Sequence, residues 1–159
     1  MPLTIRSLAR PSLLAAALLA ACGIDSGLTG VSDTEPTELT LRIEKEIPDD
    51  LPDDFASIDT AFISGDTLHL SVSYPGGCAE THEFGLLAQA GPMDVDPPEV
   101  LLVLLHDGKN DSCRAALHSD LRTDLTPIQS LIDQGNTLRL RLFEPNGIAA
   151  VDEVLDYTF

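Results

Sequence analysis

Two short stretches concentrate the side chains that could do chemistry: YPGGCAETHEF, spanning 74–84, and LLHDGKNDSC, spanning 104–113. They bring together Cys78, His82, His106, Asp107, Asp111 and Cys113 in a chain with three cysteines and four histidines. Three chemistries suit these residue types. Oxidised, Cys78 and Cys113 form a disulfide. Reduced, they join His82 and His106 as a Cys2His2 zinc set. With the sulfurs bonded to each other, His82, His106 and Asp111 still offer the imidazole and carboxylate donors that copper or zinc accepts. Zinc cysteines usually come as closely spaced pairs, whereas here each stands alone, so the spacing favours the disulfide. Glu80, Glu83 and His82 are the nearest approach to an acid and base group. The chain has no Gly-x-Ser-x-Gly elbow, phosphate-binding glycine loop or His-Glu-x-x-His helix.

The beginning of the chain bears on the state of these thiols. MPLTIRSLARPSLLAAALLAACG carries Arg6 and Arg10, then an apolar run from Leu13 to Leu18, then small residues. That is the layout of a secretory signal peptide, and the run is far short of the roughly 20 residues that span a bilayer. Leu19-Ala20-Ala21-Cys22 resembles the lipobox of bacterial lipoproteins. The resemblance implies cleavage after residue 21, diacylglyceryl transfer to the Cys22 thiol and anchoring in a lipid bilayer. Gly23, rather than Asp, after the cysteine implies the outer membrane. Several acyl chains on one residue make a stable anchor, since each buried methylene contributes about 0.8 kcal/mol. With Cys22 consumed by lipid, Cys78 and Cys113 are an even pair outside the reducing cytosol and are expected to be oxidised.

Composition narrows the partners. Asp and Glu number 26 against 9 Lys and Arg, a formal net charge of −17. A nucleic-acid partner is excluded by this balance, because phosphate binding needs a basic face. The run EKEIPDDLPDDF, which holds Asp49, Asp50, Asp53 and Asp54, lacks the ligand spacing and turn glycine of a calcium loop and reads as a solvated acidic surface.

The elements that must position the cysteines and histidines follow a period of two. GIDSGLTGVSDTEPTE has no apolar period and reads as a flexible acidic tether, giving a leader over 1–21, a lipidated tether over 22–36 and one domain over 37–159. In TELTLRIE, TLHLSVSY and NTLRLRLFE, apolar and polar residues alternate as in half-buried strands. SIDTAFI leads through Ser64-Gly65-Asp66 into the second of these as a hairpin. HEFGLLAQ and EVLLVLLH add strands, the latter apolar enough for the centre of a sheet. CRAALHSDLRTDL is a less regular candidate, and VLDYTF places Leu155, Tyr157 and Phe159 on one face. One short helix is expected, with Thr126 as cap, Pro127 at its first position, Gln129 completing a capping box and Gly135 ending it. These elements predict an antiparallel β-sandwich of immunoglobulin-like type, with a small barrel as the alternative. Strands near 67–74, 83–90, 98–106 and 113–124, running up and down, carry Cys78 and Cys113 to the same end. Gly76 and Gly77 let the chain turn there.

GGCAETHEFGLL together with LLHDGKNDSCRAAL is similar to a pattern in small, poorly characterised secreted or lipidated bacterial proteins, and this likeness implies no activity. The expectation is therefore a non-enzymatic, membrane-anchored interaction or envelope-structural module that needs no cofactor and binds an unnamed envelope protein or ligand. A periplasmic metal-binding or metal-sensing protein using His82, His106 and Asp111 is the alternative, and a small hydrolase the third.

Overall fold

The structure is a computed structural model that describes residues 35–78, 81–89, 91, 95–146 and 153–159. Cys22, the leader, nearly all of the tether and Glu80 lie outside them. The described residues form one compact unit.

Nine strands and one 3-10 turn make up the described fold: β1 (Thr37–Glu38), β2 (Leu41–Glu44), β3 (Ser57–Ser64), β4 (Thr67–Gly76), β5 (Glu83–Gln89), β6 (Glu99–Asp107), β7 (Ala115–Asp124), the turn (Thr126–Leu131), β8 (Thr137–Phe143) and β9 (Glu153–Thr158). One sheet has the order β1-β7-β4-β3 and the other β2-β5-β6-β8-β9. They face each other as a sandwich and do not close into a barrel. The sheets are mixed, because β1 runs parallel to β7, β2 to β5 and β6 to β8.

Alternation decides what fills the space between the sheets. Leu68, Leu70 and Val72 of β4 point inward, as do Val100, Leu102 and Leu104 of β6 and Leu138, Leu140 and Leu142 of β8, and all are buried. The opposite face of β6 is also apolar. Val103 and Leu105 pack there with Leu87, and Ile47 and Leu51 from the segment between β2 and β3 lie over them. β6 is thus enclosed on both faces, as its unbroken apolar run requires.

Two local expectations are corrected. TELTLRIE is two strands rather than one, because the chain passes from one sheet to the other at Leu39. The Leu39 N–H donates to the Arg122 carbonyl at 2.7 Å, its carbonyl accepts the Thr123 hydroxyl at 3.0 Å, and its side chain is buried in the core. The expected capped helix is a 3-10 turn preceded by Leu125, without a side-chain cap. The two would-be capping residues are engaged elsewhere: Thr126 through Asp124, and Gln129 through the Tyr157 hydroxyl at 2.7 Å and Asp66 at 3.2 Å.

Candidate functional site

β4 and β7 pair in antiparallel register out to Gly76 opposite Ala115, and β5 and β6 out to Glu83 opposite Asp107. The connections leaving β4 and β6 therefore emerge at the same end of the sandwich. Cys78 and Cys113 meet there as a disulfide with Cα atoms 5.6 Å apart, closing a separation of 35 residues.

Asp111 organises this junction. Its Oδ2 accepts the backbone N–H groups of Gly77 and Cys78, each at 2.9 Å, and its Oδ1 accepts that of Cys113 at 2.8 Å. One carboxylate thus holds the backbone at both ends of the disulfide. Nε2 of His82 lies 3.4 Å from the same Oδ2, and the two side chains are 4% and 0% exposed.

Behind His82 stands His106. Nδ1 of His82 is 2.9 Å from Nε2 of His106, and Nδ1 of His106 is 2.9 Å from the Phe55 carbonyl. Because a carbonyl only accepts, the row has a direction. His106 donates from Nδ1 to Phe55, its Nε2 accepts from His82 Nδ1–H, and the remaining His82 nitrogen faces Asp111. With both rings neutral, the lone pair of His82 Nε2 and a carboxylate oxygen of Asp111 face each other there. Phe84 stacks on His106 with ring centroids 4.7 Å apart, and the Tyr74 ring meets His106 edge-on at 5.1 Å. Burial pushes the His106 imidazole below its usual range, against the opposing pull of the Phe55 carbonyl.

The backbone around the row leaves little space. A Cβ on Gly76 would stand 2.6 Å from His82 Nε2 and 2.9 Å from Leu117 Cδ1. Gly76 is therefore required for close approach, whereas Gly77, at φ 113°, is required for backbone conformation. Asp54 ties in the overlying segment: its N–H donates to the His106 carbonyl at 3.0 Å, and its carboxylate accepts the Gly108 N–H at 2.8 Å.

The structure thus brings Cys78, Cys113, His82, His106 and Asp111 into one cluster. Among the described residues, the donor atoms of Cys78, Asp111 and Cys113 lie within 4.8 Å of one another. Asp107 and Glu83 face away from the cluster and bind the Lys109 ammonium at 2.7 and 2.8 Å. Glu83 is thus committed to Lys109 rather than to His82.

Two further features escaped sequence reasoning. On the exposed side of the four-stranded sheet, Ser73 donates to Asp59 and lies 2.9 Å from Nδ1 of His118. That same nitrogen is 3.7 Å from Asp59, so serine and carboxylate share one side of the imidazole, unlike the relay of a catalytic triad. The other feature is an apolar groove of about 240 Å³ on the outer face of the five-stranded sheet, with Ile47, Leu51, Leu101, Val103, Phe143 and the aspartates Asp49 and Asp53 among its lining residues. Phe143 is 39% exposed. The doubly apolar EVLLVLLH and the phenylalanine ending TLRLRLF were its signals in the sequence.

No protein-family model and no curated protein matches the sequence. Among solved structures, the chain is similar to a NigD-like immunity protein from Bacteroides caccae, with a TM-score of 0.55 and 13% identity over 76% of this chain and 58% of that one. It is also similar to a protein from Parabacteroides distasonis described as toxin-related, with a TM-score of 0.53 and 22% identity over 76% and 61% of the two chains. The chain spans about six-tenths of the length of these proteins, and the likeness is one of fold.

Proposed function

We propose that the chain is a lipid-anchored, non-enzymatic interaction module of the bacterial envelope that binds partners in the groove on its five-stranded sheet. The observation that carries this reading is the groove itself, a mostly apolar concavity on the sheet with Asp49 and Asp53 among its lining residues. A concave apolar pocket with a few polar groups at its walls is where ligands and partners are commonly bound. These aspartates and the net charge of −17 suit a cationic segment with one apolar face. The Cys78–Cys113 disulfide supports an oxidising compartment, in keeping with the lipobox-like Leu19-Ala20-Ala21-Cys22. One solved structure of the same fold is named as an immunity protein, and a protective role is one form such binding could take.

The two halves of the proposal are tested separately. Radiolabelled palmitate should enter the full chain in a bacterial host and fail to enter Cys22→Ala; equal labelling of the variant would sink the anchor. A synthetic cationic amphipathic peptide should bind the purified protein more weakly as salt rises. Phe143→Asp should weaken binding at least tenfold, and unchanged affinity in that variant would remove the groove as the binding surface.

A further inference from the structure

We infer that reduction of the Cys78–Cys113 disulfide converts this end of the sandwich into a zinc site whose ligands are Cys78, Cys113, Asp111 and His82. The inference rests on the junction alone and is independent of the groove.

Proximity comes first. The two sulfurs and an Asp111 carboxylate oxygen lie within 4.8 Å of one another, and His82, which stands outside that set of three, has Nε2 3.4 Å from Asp111 Oδ2. Zinc bonds of about 2.0–2.3 Å to nitrogen, oxygen and sulfur place the ligand atoms of a tetrahedron roughly 3.3–3.8 Å apart. Opening the S–S bond lets the sulfurs separate to that spacing by side-chain rotation. The backbone is held meanwhile by the β4–β7 register at Gly76 and Ala115, while Asp111 exchanges one of the N–H contacts at its oxygens for the metal and keeps the others.

Orientation is the second argument. A zinc-bound histidine needs one nitrogen bare and usually donates from the other to a fixed acceptor. His82 has this arrangement: Nδ1 donates to His106, His106 donates onward to the Phe55 carbonyl, and Nε2 is left facing Asp111. His106 is thus a positioning residue and not a ligand, which departs from a set containing both histidines. Access is from the Cys78 side, which is exposed, with Cys113 partly covered and the Asp111 and His82 side chains buried behind the sulfurs.

The chemistry balances with a dithiol or phosphine reductant. A dithiol gives two electrons and two protons to the S–S bond, yielding two cysteine thiols and its own disulfide; a phosphine gives the two electrons and becomes its oxide with the oxygen of a water molecule, whose two protons go to the cysteine sulfurs. Zn²⁺ then displaces both thiol protons to solvent and is held by two thiolates, one carboxylate and one neutral imidazole. The metal replaces the covalent bond as the tie between the two loops, so oxidation and zinc binding exclude each other.

The test uses the full chain in detergent micelles, divided into an oxidised sample and one reduced by a phosphine. Each is incubated with zinc sulfate, desalted and assayed for zinc and for free thiol by mass spectrometry. The reduced protein should keep about one zinc per chain and the oxidised protein none. His82→Ala and Asp111→Asn should each weaken zinc binding at least tenfold in the reduced state, and His106→Gln by a similar or smaller factor. Disulfide formation in air shows that each variant has folded. Cobalt in place of zinc should give a thiolate charge-transfer band that is lost in Cys78→Ala. Reduced protein without zinc, equal zinc in both redox states, or a folded His82→Ala that binds zinc as tightly as the parent would each overturn the assignment.

Discussion

Nε2 of His106 lies 2.9 Å from Nδ1 of His82, with the Phe55 carbonyl on the other side of the His106 ring at 2.9 Å. Burial makes His106 the acid-sensitive group at this end of the sandwich, the neighbouring His82 acts in the same direction, and the Phe55 carbonyl and Asp54 oppose them. The folded pKa of His106 lies below the usual imidazole value, so its contribution to stability is present above about pH 6.5 and is lost as pH falls through the lower folded value. Urea midpoints should therefore fall between pH 7 and pH 5, and His106→Gln should flatten that part of the curve. A parent curve without slope there would contradict the account.

Glu144 behaves in the opposite sense. Its side chain is buried at 4% exposure, Oε1 accepts the Ile58 N–H, and Oε2 has no hydrogen-bond partner among the described residues. Desolvation raises its pKa. The fold therefore favours the neutral carboxyl, and the associated stability, complete below about pH 4.3, is lost as pH rises through the raised folded value. Glu144→Gln should stabilise the protein by about 1 kcal/mol at pH 8 and bring little gain at pH 4. Denaturant titration at both pH values checks the difference.

The disulfide closes a separation of 35 residues. Chain entropy gives about 4 kcal/mol for a loop of that length. Replacing both Cys78 and Cys113 by alanine should lower the guanidinium midpoint accordingly. The far-ultraviolet circular dichroism should remain that of a β protein, because the core between the sheets is untouched.

Gly76→Ala should cost about 1–3 kcal/mol, the usual range for forcing extra atoms into a packed site. The added carbon would stand 2.6 Å from His82 Nε2 and displace that ring from Asp111. The same change at Gly65 meets no atom within 4 Å and acts only through its positive φ of 59°. Thermal melts of the two variants separate crowding from backbone strain.

How legible all this was in the sequence depended on the range of the forces involved. Alternation in TLHLSVSY and NTLRLRLFE exposed β4 and β8, because each inward leucine has a polar neighbour on the opposite face. β7 looked irregular for the same reason in reverse: most of its side chains lie outside, with Leu121 and Thr123 the buried ones. The meeting of Cys78 with Cys113, and of His82 with Asp111, was accessible because successive strands fix which connections share an end. The parallel pairings were not, since nothing local distinguishes a strand that returns antiparallel from one that crosses over. Nor was the transfer between sheets at Leu39, where alternation runs on without a break. The Thr126 to Gln129 capping signals were overridden by partners distant in sequence, Asp66 and Tyr157. The protonation order along Phe55, His106 and His82 required atomic positions.

The change of sheet at Leu39 also has a mechanical meaning. β1 and β2 are the first strands of the described fold, and each lies parallel to its neighbour, one in either sheet. A pull applied through the residues before Thr37 would load the β1–β7 hydrogen bonds mainly along the strand axis, in shear, instead of opening them one at a time like a zipper. The load would then pass to the second sheet only after Leu39 had been drawn out of the core. A domain held by its N-terminal end against fluid drag or a bound partner would thus resist unravelling from the end at which it is held.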